Sequence, residues 1–244
     1  RTPYSLLLFL LLIGPNQVFA QGQILSNPSI PALDPNQDGW ATQSGGPFLS
    51  SEFAESELEL VPVPQYVMEP AGDLTAGNGC DAQDVQDNPN SSGEALFYGL
   101  SDPNGQPNDG DESLLIRLRL AQDPANQQFG FSLLLDTDLK FDSRDPNQKA
   151  GNRGFEWEIR LVHRGADSGL HIDSVDGQTS GQTIKSYNLS QQTQRVEALN
   201  TNTACAAQTP IFYDLAIPLS DLGLGTNDAV RMAAAATASG ASAL

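Results

Sequence analysis

The sequence contains few basic residues, two cysteines, two histidines and almost no segment with a helical repeat of apolar positions. Its 12 Lys and Arg residues stand against 30 Asp and Glu residues, and the formal net charge is −18. Because this charge repels the phosphate backbone of a nucleic acid, we expect no nucleic-acid partner. The sequence also lacks a G-x-S-x-G motif and a phosphate-binding glycine loop, so it offers neither a hydrolase nucleophile nor a nucleotide site.

Only one long apolar run is present, and it lies at the start of the chain. Leu6–Ile13 is shorter than the roughly 20 apolar residues that span a bilayer. Gly14 and Pro15 follow the run, and the segment ends on the small residue Ala20, as signal-peptidase sites do. We therefore predict a signal peptide over residues 1–20, a secreted or bacterial cell-surface location, and no transmembrane segment in the mature chain.

The two cysteines, Cys80 and Cys205, are far apart in the sequence. An even number of cysteines in an exported chain favours one disulfide, which would close a loop of more than a hundred residues. Two buried free thiols are the alternative, because the sequence alone does not establish pairing.

Composition divides the rest of the chain into two parts. Residues 21–93 are rich in Pro, Gly, Asn, Ser and acidic residues, which predicts an extended leader that packs on the following domain. From residue 94, short apolar runs are separated by turn-rich loops. We predict a helical turn at 218–224 and strands at 94–100, 114–120, 129–136, 154–163, 169–176, 211–218 and 229–237.

Several of these strands alternate between apolar and charged residues. Ile116 and Leu118 alternate with Arg117 and Arg119, and the same period recurs around Trp157. A period of two predicts a sheet with one face in a core and the other in water. We therefore predict an all-β domain over residues 94–244, an antiparallel β-sandwich of the jelly-roll or carbohydrate-binding-module type. Since no closing strand follows residue 237, we expect this domain and the protein to continue beyond residue 244.

The loop after the third predicted strand has the composition of a cation site. Asp136 and Asp138 project to the same side of a strand end, and the loop can fold the later acidic residues back toward them. Several carboxylates this close repel one another unless a cation or solvent screens them, and Ca²⁺ is a natural partner. The alternative is a solvated loop tip. The predicted ligands are Asp136, Asp138, Asp142, Asp145 and Asn147.

A second candidate cation loop lies in the leader. "DPNQDGW" places Asp34, Asn36 and Asp38 at alternate positions before a glycine, as in the first half of an EF-hand loop. The twelfth position is Gly45 instead of Glu, so an unoccupied turn is the alternative. A third acidic cluster, "DPNGQPNDGDE", has the Gly and Pro content of a plain hairpin loop, and metal is less favoured there.

In "FEWEIR", Glu156 and Glu158 share one strand face, as a pair of catalytic carboxylates would. Retaining glycosidases use two carboxyl groups about 5–5.5 Å apart. Some β-sandwich glycanases carry an Asp between such glutamates on the strand. Here Trp157 takes that position, and its side chain points to the opposite face of the sheet. A cross-strand ion ladder with Arg117, Arg119 or Arg160 explains the glutamates better. We expect no enzymatic activity in this chain.

The order of motifs resembles a known group of proteins. "LDPNQDGW", "VPVPQYVMEPAGDL", "LLIRLRL", "GFSLLLDTD", "GFEWEI" and "DLAIPLSDL" follow one another as in the N-terminal region of exported bacterial surface proteins of the adhesin type. The core is similar to DOMON and family-9 carbohydrate-binding modules, which are β-sandwiches with bound calcium and a ligand face on a sheet. The resemblance implies a module for adhesion or for contact with a glycan or other cell-surface polymer. An accessory domain of a secreted polysaccharide-degrading enzyme and a purely structural spacer are the alternatives.

Overall fold

The computed structural model describes residues 23–25, 30–35, 37, 56–63, 85, 95–124, 128–199, 209–237 and 242–244. These residues form a β-sandwich of two five-stranded antiparallel sheets, which confirms the predicted fold class. The strands are β1 (Val61–Pro62), β2 (Leu96–Ser101), β3 (Ser113–Leu120), β4 (Phe129–Asp136), β5 (Trp157–His163), β6 (Gly169–Ser174), β7 (Gln182–Tyr187), β8 (Thr193–Glu197), β9 (Ile211–Pro218) and β10 (Arg231–Thr237). Two single-turn helices, α1 (Leu189–Gln192) and α2 (Leu219–Leu222), and two 3₁₀ turns, Asp142–Arg144 and Gly165–Asp167, complete the described elements.

The first sheet has the strand order β1-β2-β3-β9-β8, and the second has the order β10-β4-β5-β6-β7. The chain crosses from the first sheet to the second after β3, returns after β7 through α1, and crosses again after β9 through α2. Consecutive strands β4 to β7 form a meander in which each strand pairs with the next. This order places β4 next to β10 at one edge of the second sheet.

The main core lies between the two sheets and is formed by alternate residues of their strands. Ile116 and Leu118 from β3 meet Leu133 of β4 and Leu161 of β5 in one buried cluster. The rings of Phe129 and Tyr213 stack with their centroids 5.9 Å apart. Burying a large apolar side chain stabilises a fold by about 1.5–3 kcal/mol, so this cluster is the main source of the sandwich's stability.

The outer face of the first sheet is also buried, because N-terminal residues cover it. Ile30, Leu33 and Leu60 form a second apolar cluster with Phe97 and Phe212. The covering segment lies close to the backbone of β2 at Gly99. A Cβ added to Gly99 would lie 2.6 Å from the carbonyl oxygen of Glu59, so only glycine fits there.

This cover overturns the expectation that Arg117 and Arg119 face water. Their exposed fractions are 2% and 0%. Arg117 donates to Asp214 on the neighbouring strand through Nε at 2.7 Å and Nη2 at 2.8 Å, and its guanidinium lies 4.9 Å from the ring centroid of Phe212. A period of two identifies the two faces of a sheet, but it does not show whether another chain segment covers the polar one.

The predicted strands are present with small shifts of their ends, and α2 lies within the predicted helical turn. Three strands were not predicted: the two-residue β1 in the leader, β7 and β8. The sequence of β7, "QTIKSY", is mostly polar and its residues are largely exposed, so it carries no inward apolar repeat. The sequence of β8, "TQRVE", contains one aliphatic residue, Val196. Both are edge strands, where polar side chains are common and the apolar period is weak.

Several sequence-based predictions fall outside the described residues. The signal peptide at 1–20, Cys80, Cys205, Asn36, Asp38 and most of the leader at 21–93 belong to this group, so the disulfide and the full extent of the leader stay predictions. Among the described residues, no helix is long and apolar enough to cross a membrane.

Candidate metal centre

Three carboxylates meet where β4 ends and β5 begins. Leu135 is opposite Trp157 in the ladder, and the backbone N–H of Glu156 donates to the carbonyl oxygen of Leu135 at 3.0 Å. This register brings Glu156 beside Asp136, the last residue of β4. One oxygen each from Asp136, Asp138 and Glu156 lies within 4.8 Å of the others, and we call these three residues the carboxylate triad.

The loop that joins the two strands is folded back to allow this meeting. Asn152 is buried and its side-chain Nδ2 donates to the carbonyl oxygens of Val175 at 2.7 Å and Phe155 at 3.0 Å. Gly154 has φ +125°, and a Cβ there would lie 2.4 Å from the carbonyl oxygen of Lys140. Any other residue at Gly154 would force this end of the loop away from its start. The entry of β5, and with it Glu156, is therefore fixed by the local sequence.

Asp136 is the buried member of the triad, with an exposed fraction of 0%. Its Oδ2 accepts a bond from Nη1 of Arg231 at 3.2 Å. Its Oδ1 is buried and has no hydrogen-bond partner among the described residues. Buried polar atoms in proteins almost always have a partner, and an unpaired charged oxygen is costly. The unpaired oxygen therefore points to a ligand at this position.

Glu156 is half-buried and is held by the loop that follows β4. Its Oε2 accepts from the backbone N–H of Thr137 at 2.6 Å and from Oγ1 of Thr137 at 3.1 Å. Burial raises the pKa of Glu156 above its ordinary value; the bonds from Thr137 oppose the shift, and the charge of Asp138 adds to it. The raised pKa therefore reflects mainly the cost of burying the ionised carboxylate.

Asp138 is the exposed member, and a lysine already pairs with it. Its two oxygens accept from the backbone N–H of Lys140 at 2.8 Å and from Nζ of Lys140 at 2.7 Å. The hydrogen bond from Lys140 lowers the pKa of Asp138. Arg231 also donates through Nη2 to the carbonyl oxygen of Leu139 at 2.8 Å. Two cationic side chains therefore partly neutralise three carboxylates.

The predicted loop ligands divide into two groups in the structure. Asp136 and Asp138 belong to the triad, whereas the other three make contacts within or beside the loop. Asp142, at φ 58°, pairs with Arg153. Asp145 is buried and its Oδ1 accepts from the backbone N–H of Asn147 at 2.7 Å. The side chain of Asn147 donates to Asp176 at 3.2 Å.

Glu156 is the member of the carboxylate triad that sequence reasoning missed. It lies 20 positions after Asp136 and was assigned with Glu158 to an ion ladder. That ladder is wrong: Glu158 is fully buried on the outer face of the second sheet. Its Oε1 accepts from Oγ of Ser132 and from the backbone N–H of Ala243, and its Oε2 accepts from Oγ of Ser242. Pairing "LLLD" with "GFEWEI" as an antiparallel hairpin would have placed Glu156 next to Asp136.

The hairpin between β2 and β3 holds a second cluster, formed by Asp109, Asp111 and Glu112, whose oxygens also lie within 4.8 Å of one another. Here the buried carboxylate is satisfied, because both oxygens of Glu112 accept backbone N–H groups, from Asp109 and Gly110, each at 3.0 Å. Turn formation accounts for this cluster without a metal.

In the leader, Asp34 is buried, and its backbone N–H donates to the carbonyl oxygen of Ile30 at 2.8 Å. Because Asn36 and Asp38 lie outside the described residues, a calcium loop around Asp34 stays a prediction.

All three donors of the triad are carboxylate oxygens, without histidine or cysteine. Such a set suits a hard cation such as Ca²⁺ or Mg²⁺, and it does not suit the transition metals that prefer nitrogen or sulfur. Comparison with protein-family models, with curated proteins and with solved structures finds no match to this chain.

Proposed function

We propose that this chain is a non-catalytic β-sandwich module whose fold is stabilised by one calcium ion at the carboxylate triad. We further propose that the module serves adhesion or carbohydrate contact at the surface of an exported protein. The observation that carries the cation site is the fully buried Asp136, whose Oδ1 has no hydrogen-bond partner among the described residues. A bound cation would give this oxygen a partner.

The choice of calcium rests on the number and type of oxygens. Ca²⁺ takes 6–8 oxygen ligands in a flexible geometry, whereas Mg²⁺ requires a near-ideal octahedron and keeps most of its water. Asp136, Asp138 and Glu156 supply the charged oxygens, each in a mono- or bidentate mode. Asp138 is exposed, so the ion has a path from solvent and water can complete its shell.

The residues of the triad also explain how an ion would act on stability. Asp136 ends β4, Asp138 lies in the following loop, and Glu156 immediately precedes β5. An ion bound to all three would join β4 and β5, two adjacent strands of the second sheet, at their loop end. Because the triad does not form in an unfolded chain, binding stabilises the folded state by mass action.

Direct calcium binding tests this proposal. Isothermal titration of the chelator-treated protein with CaCl₂ should show one ion bound at the triad, and MgCl₂ should bind there more weakly. Replacing Glu156 by Gln keeps the shape of the side chain and removes one negative oxygen, so the variant should lose most of the calcium signal. Equal binding to the wild type and to Glu156→Gln would contradict the triad as the site.

The adhesion or glycan part is supported by the predicted signal peptide and by the resemblance of the motif order to exported surface proteins. A glycan array and a pull-down on insoluble polysaccharides test it, with the calcium-loaded protein. Retention on a defined glycan class would support carbohydrate contact. Absence of retention on every surface would contradict it and would favour a structural spacer.

A further inference from the structure

One edge of the second sheet is long, regular and exposed. β10 pairs with β4 over seven consecutive residues without a register shift, and Ala233 to Ala236 are exposed. Its sequence, "RMAAAAT", has no proline and no charge after Arg231. An edge strand of this kind presents unpaired N–H and C=O groups to any strand that approaches.

Among the described residues, the other sheet edges are short, covered or interrupted. At β8, the backbone N–H of Leu25 donates to the carbonyl oxygen of Arg195 at 2.8 Å, and that of Glu197 donates to Gln23 at 2.9 Å. β1 pairs with the outer side of β2. The ladder to β7 has a register shift between Ile172 and Asp173, and irregularities of this kind discourage strand addition.

Beside β10, the sandwich is open on its inner side. β2 turns alternate residues, Leu96, Tyr98 and Leu100, toward the space between the sheets. Leu100 is nevertheless 52% exposed. A groove of about 500 Å³ lies here. It is lined by Val63, Tyr98, Leu100, Leu114, Asp228, Ala229, Val230 and Met232. A strand added to β10 would cover these inward side chains.

We propose that β10 and this groove form a docking site for an extended, basic peptide strand of another protein. The peptide pairs its backbone with β10, places alternate apolar side chains in the groove and turns alternate basic side chains outward. A second copy of the chain is the other candidate for this site. The net charge of −18 and the groove residue Asp228 favour a cationic strand and oppose the association of two acidic copies. None of the triad residues lines the groove, so the peptide and a cation would occupy different sites.

A synthetic peptide with alternating Lys and Val tests the site by fluorescence anisotropy at low salt. β10 extends over about 23 Å at roughly 3.3 Å per residue, so seven residues match its length. The Lys–Val peptide should bind. A Glu–Val peptide of the same length should bind at least about tenfold more weakly, because its charge has the wrong sign. A Lys–Val peptide with a central proline should also bind more weakly, because proline interrupts the backbone ladder.

Two matched variants locate the site. Leu100→Ser should weaken Lys–Val binding about tenfold, since it removes apolar contact from the groove. Ile184→Ser on β7 replaces an aliphatic residue of similar exposure, 54%, and should leave the affinity within about twofold. The melting temperatures of both variants check that they remain folded.

Equal affinity for the Lys–Val and Glu–Val peptides, or binding of neither, would overturn the proposal. So would an equal loss of affinity in both variants. Light scattering measures whether the protein forms dimers. A dimer that forms in the wild type and is lost in Leu100→Ser would overturn the proposal, because the partner at β10 would then be a second copy of the chain.

Discussion

Arg231, the first residue of β10, neutralises the buried Asp136 at the end of β4. The two residues are directly opposite in the ladder, and Nη1 of Arg231 lies 3.2 Å from Oδ2 of Asp136. The arginine side chain is 46% exposed and the aspartate side chain 0%. A cation bound to the triad would therefore compete with Arg231 for the same carboxylate.

Removing this competitor should strengthen calcium binding. Arg231→Gln takes away a positive charge near the site, and we expect the Kd for Ca²⁺ to fall by roughly tenfold at low salt. Isothermal titration measures the change. Arg153→Gln is the matched control: Arg153 pairs with Asp142 outside the triad, so its loss should change the Kd by less than about twofold. An unchanged Kd in Arg231→Gln would show that Arg231 and the ion do not compete.

Amide variants should separate the triad from the rest of the acidic loop. Asp136→Asn and Glu156→Gln should each weaken calcium binding by roughly tenfold or more, because each removes one charged ligand. Asp142→Asn should keep the wild-type Kd, since its carboxylate pairs with Arg153. The same titration measures all three. A loss in Asp142→Asn as large as that in Glu156→Gln would favour a site spread over the whole loop.

Glu156 should make the calcium-free protein less stable as the pH rises. Burial raises its pKa above the ordinary value of 4.5, so the folded state binds this proton more tightly than the unfolded state. The stability contributed by the protonated group is complete below pH 4.5 and is lost as the pH rises through the raised pKa. Urea unfolding in EDTA should therefore show a smaller decrease over this window in Glu156→Gln than in the wild type. The same pH dependence in both proteins would show that Glu156 does not contribute it.

The buried ion pair between Arg117 and Asp214 in the first sheet should affect the stability of the fold and not calcium binding. Asp214→Ala leaves Arg117 without its bidentate carboxylate, and we expect a loss of about 3–5 kcal/mol in urea unfolding. Replacing both residues, Arg117→Met with Asp214→Leu, should recover most of this loss, because neither member of the pair is then left as a buried charge without the other. Asp142→Ala, in an exposed pair, should cost less than about 1 kcal/mol. A small loss in Asp214→Ala would contradict the importance of the pair.

The fold class could be predicted from the sequence because strands β2 to β6 and β9 carry strong apolar periods. In β4, for example, Phe129, Phe131, Leu133 and Leu135 all belong to the main core. The burial of Arg117 could not be predicted in the same way. It depends on residues about sixty positions earlier, such as Leu60, which cover the outer face of the sheet through contacts without a local repeat.

Two of the three triad residues could be predicted from the sequence, and the third could not because its position depends on contacts between distant segments. Asp136 and Asp138 are close in the sequence, so their proximity follows from strand geometry. Glu156 joins them only through the pairing of β4 with β5, which depends on register across a long loop. Asp142 and Asp145 were expected to turn toward Asp136, but local contacts with Arg153 and with the backbone of Asn147 hold their carboxylates elsewhere.

The melting temperature of the protein, with excess calcium and with EDTA, tests the central claim most directly. At a calcium concentration about 100 times the Kd, the free energy of unfolding rises by about 2.7 kcal/mol. For a domain of this size, that corresponds to an increase of roughly 5–10 °C. The account predicts this increase for the wild type and little or none for Glu156→Gln. Equal melting temperatures of the wild type in calcium and in EDTA would contradict it.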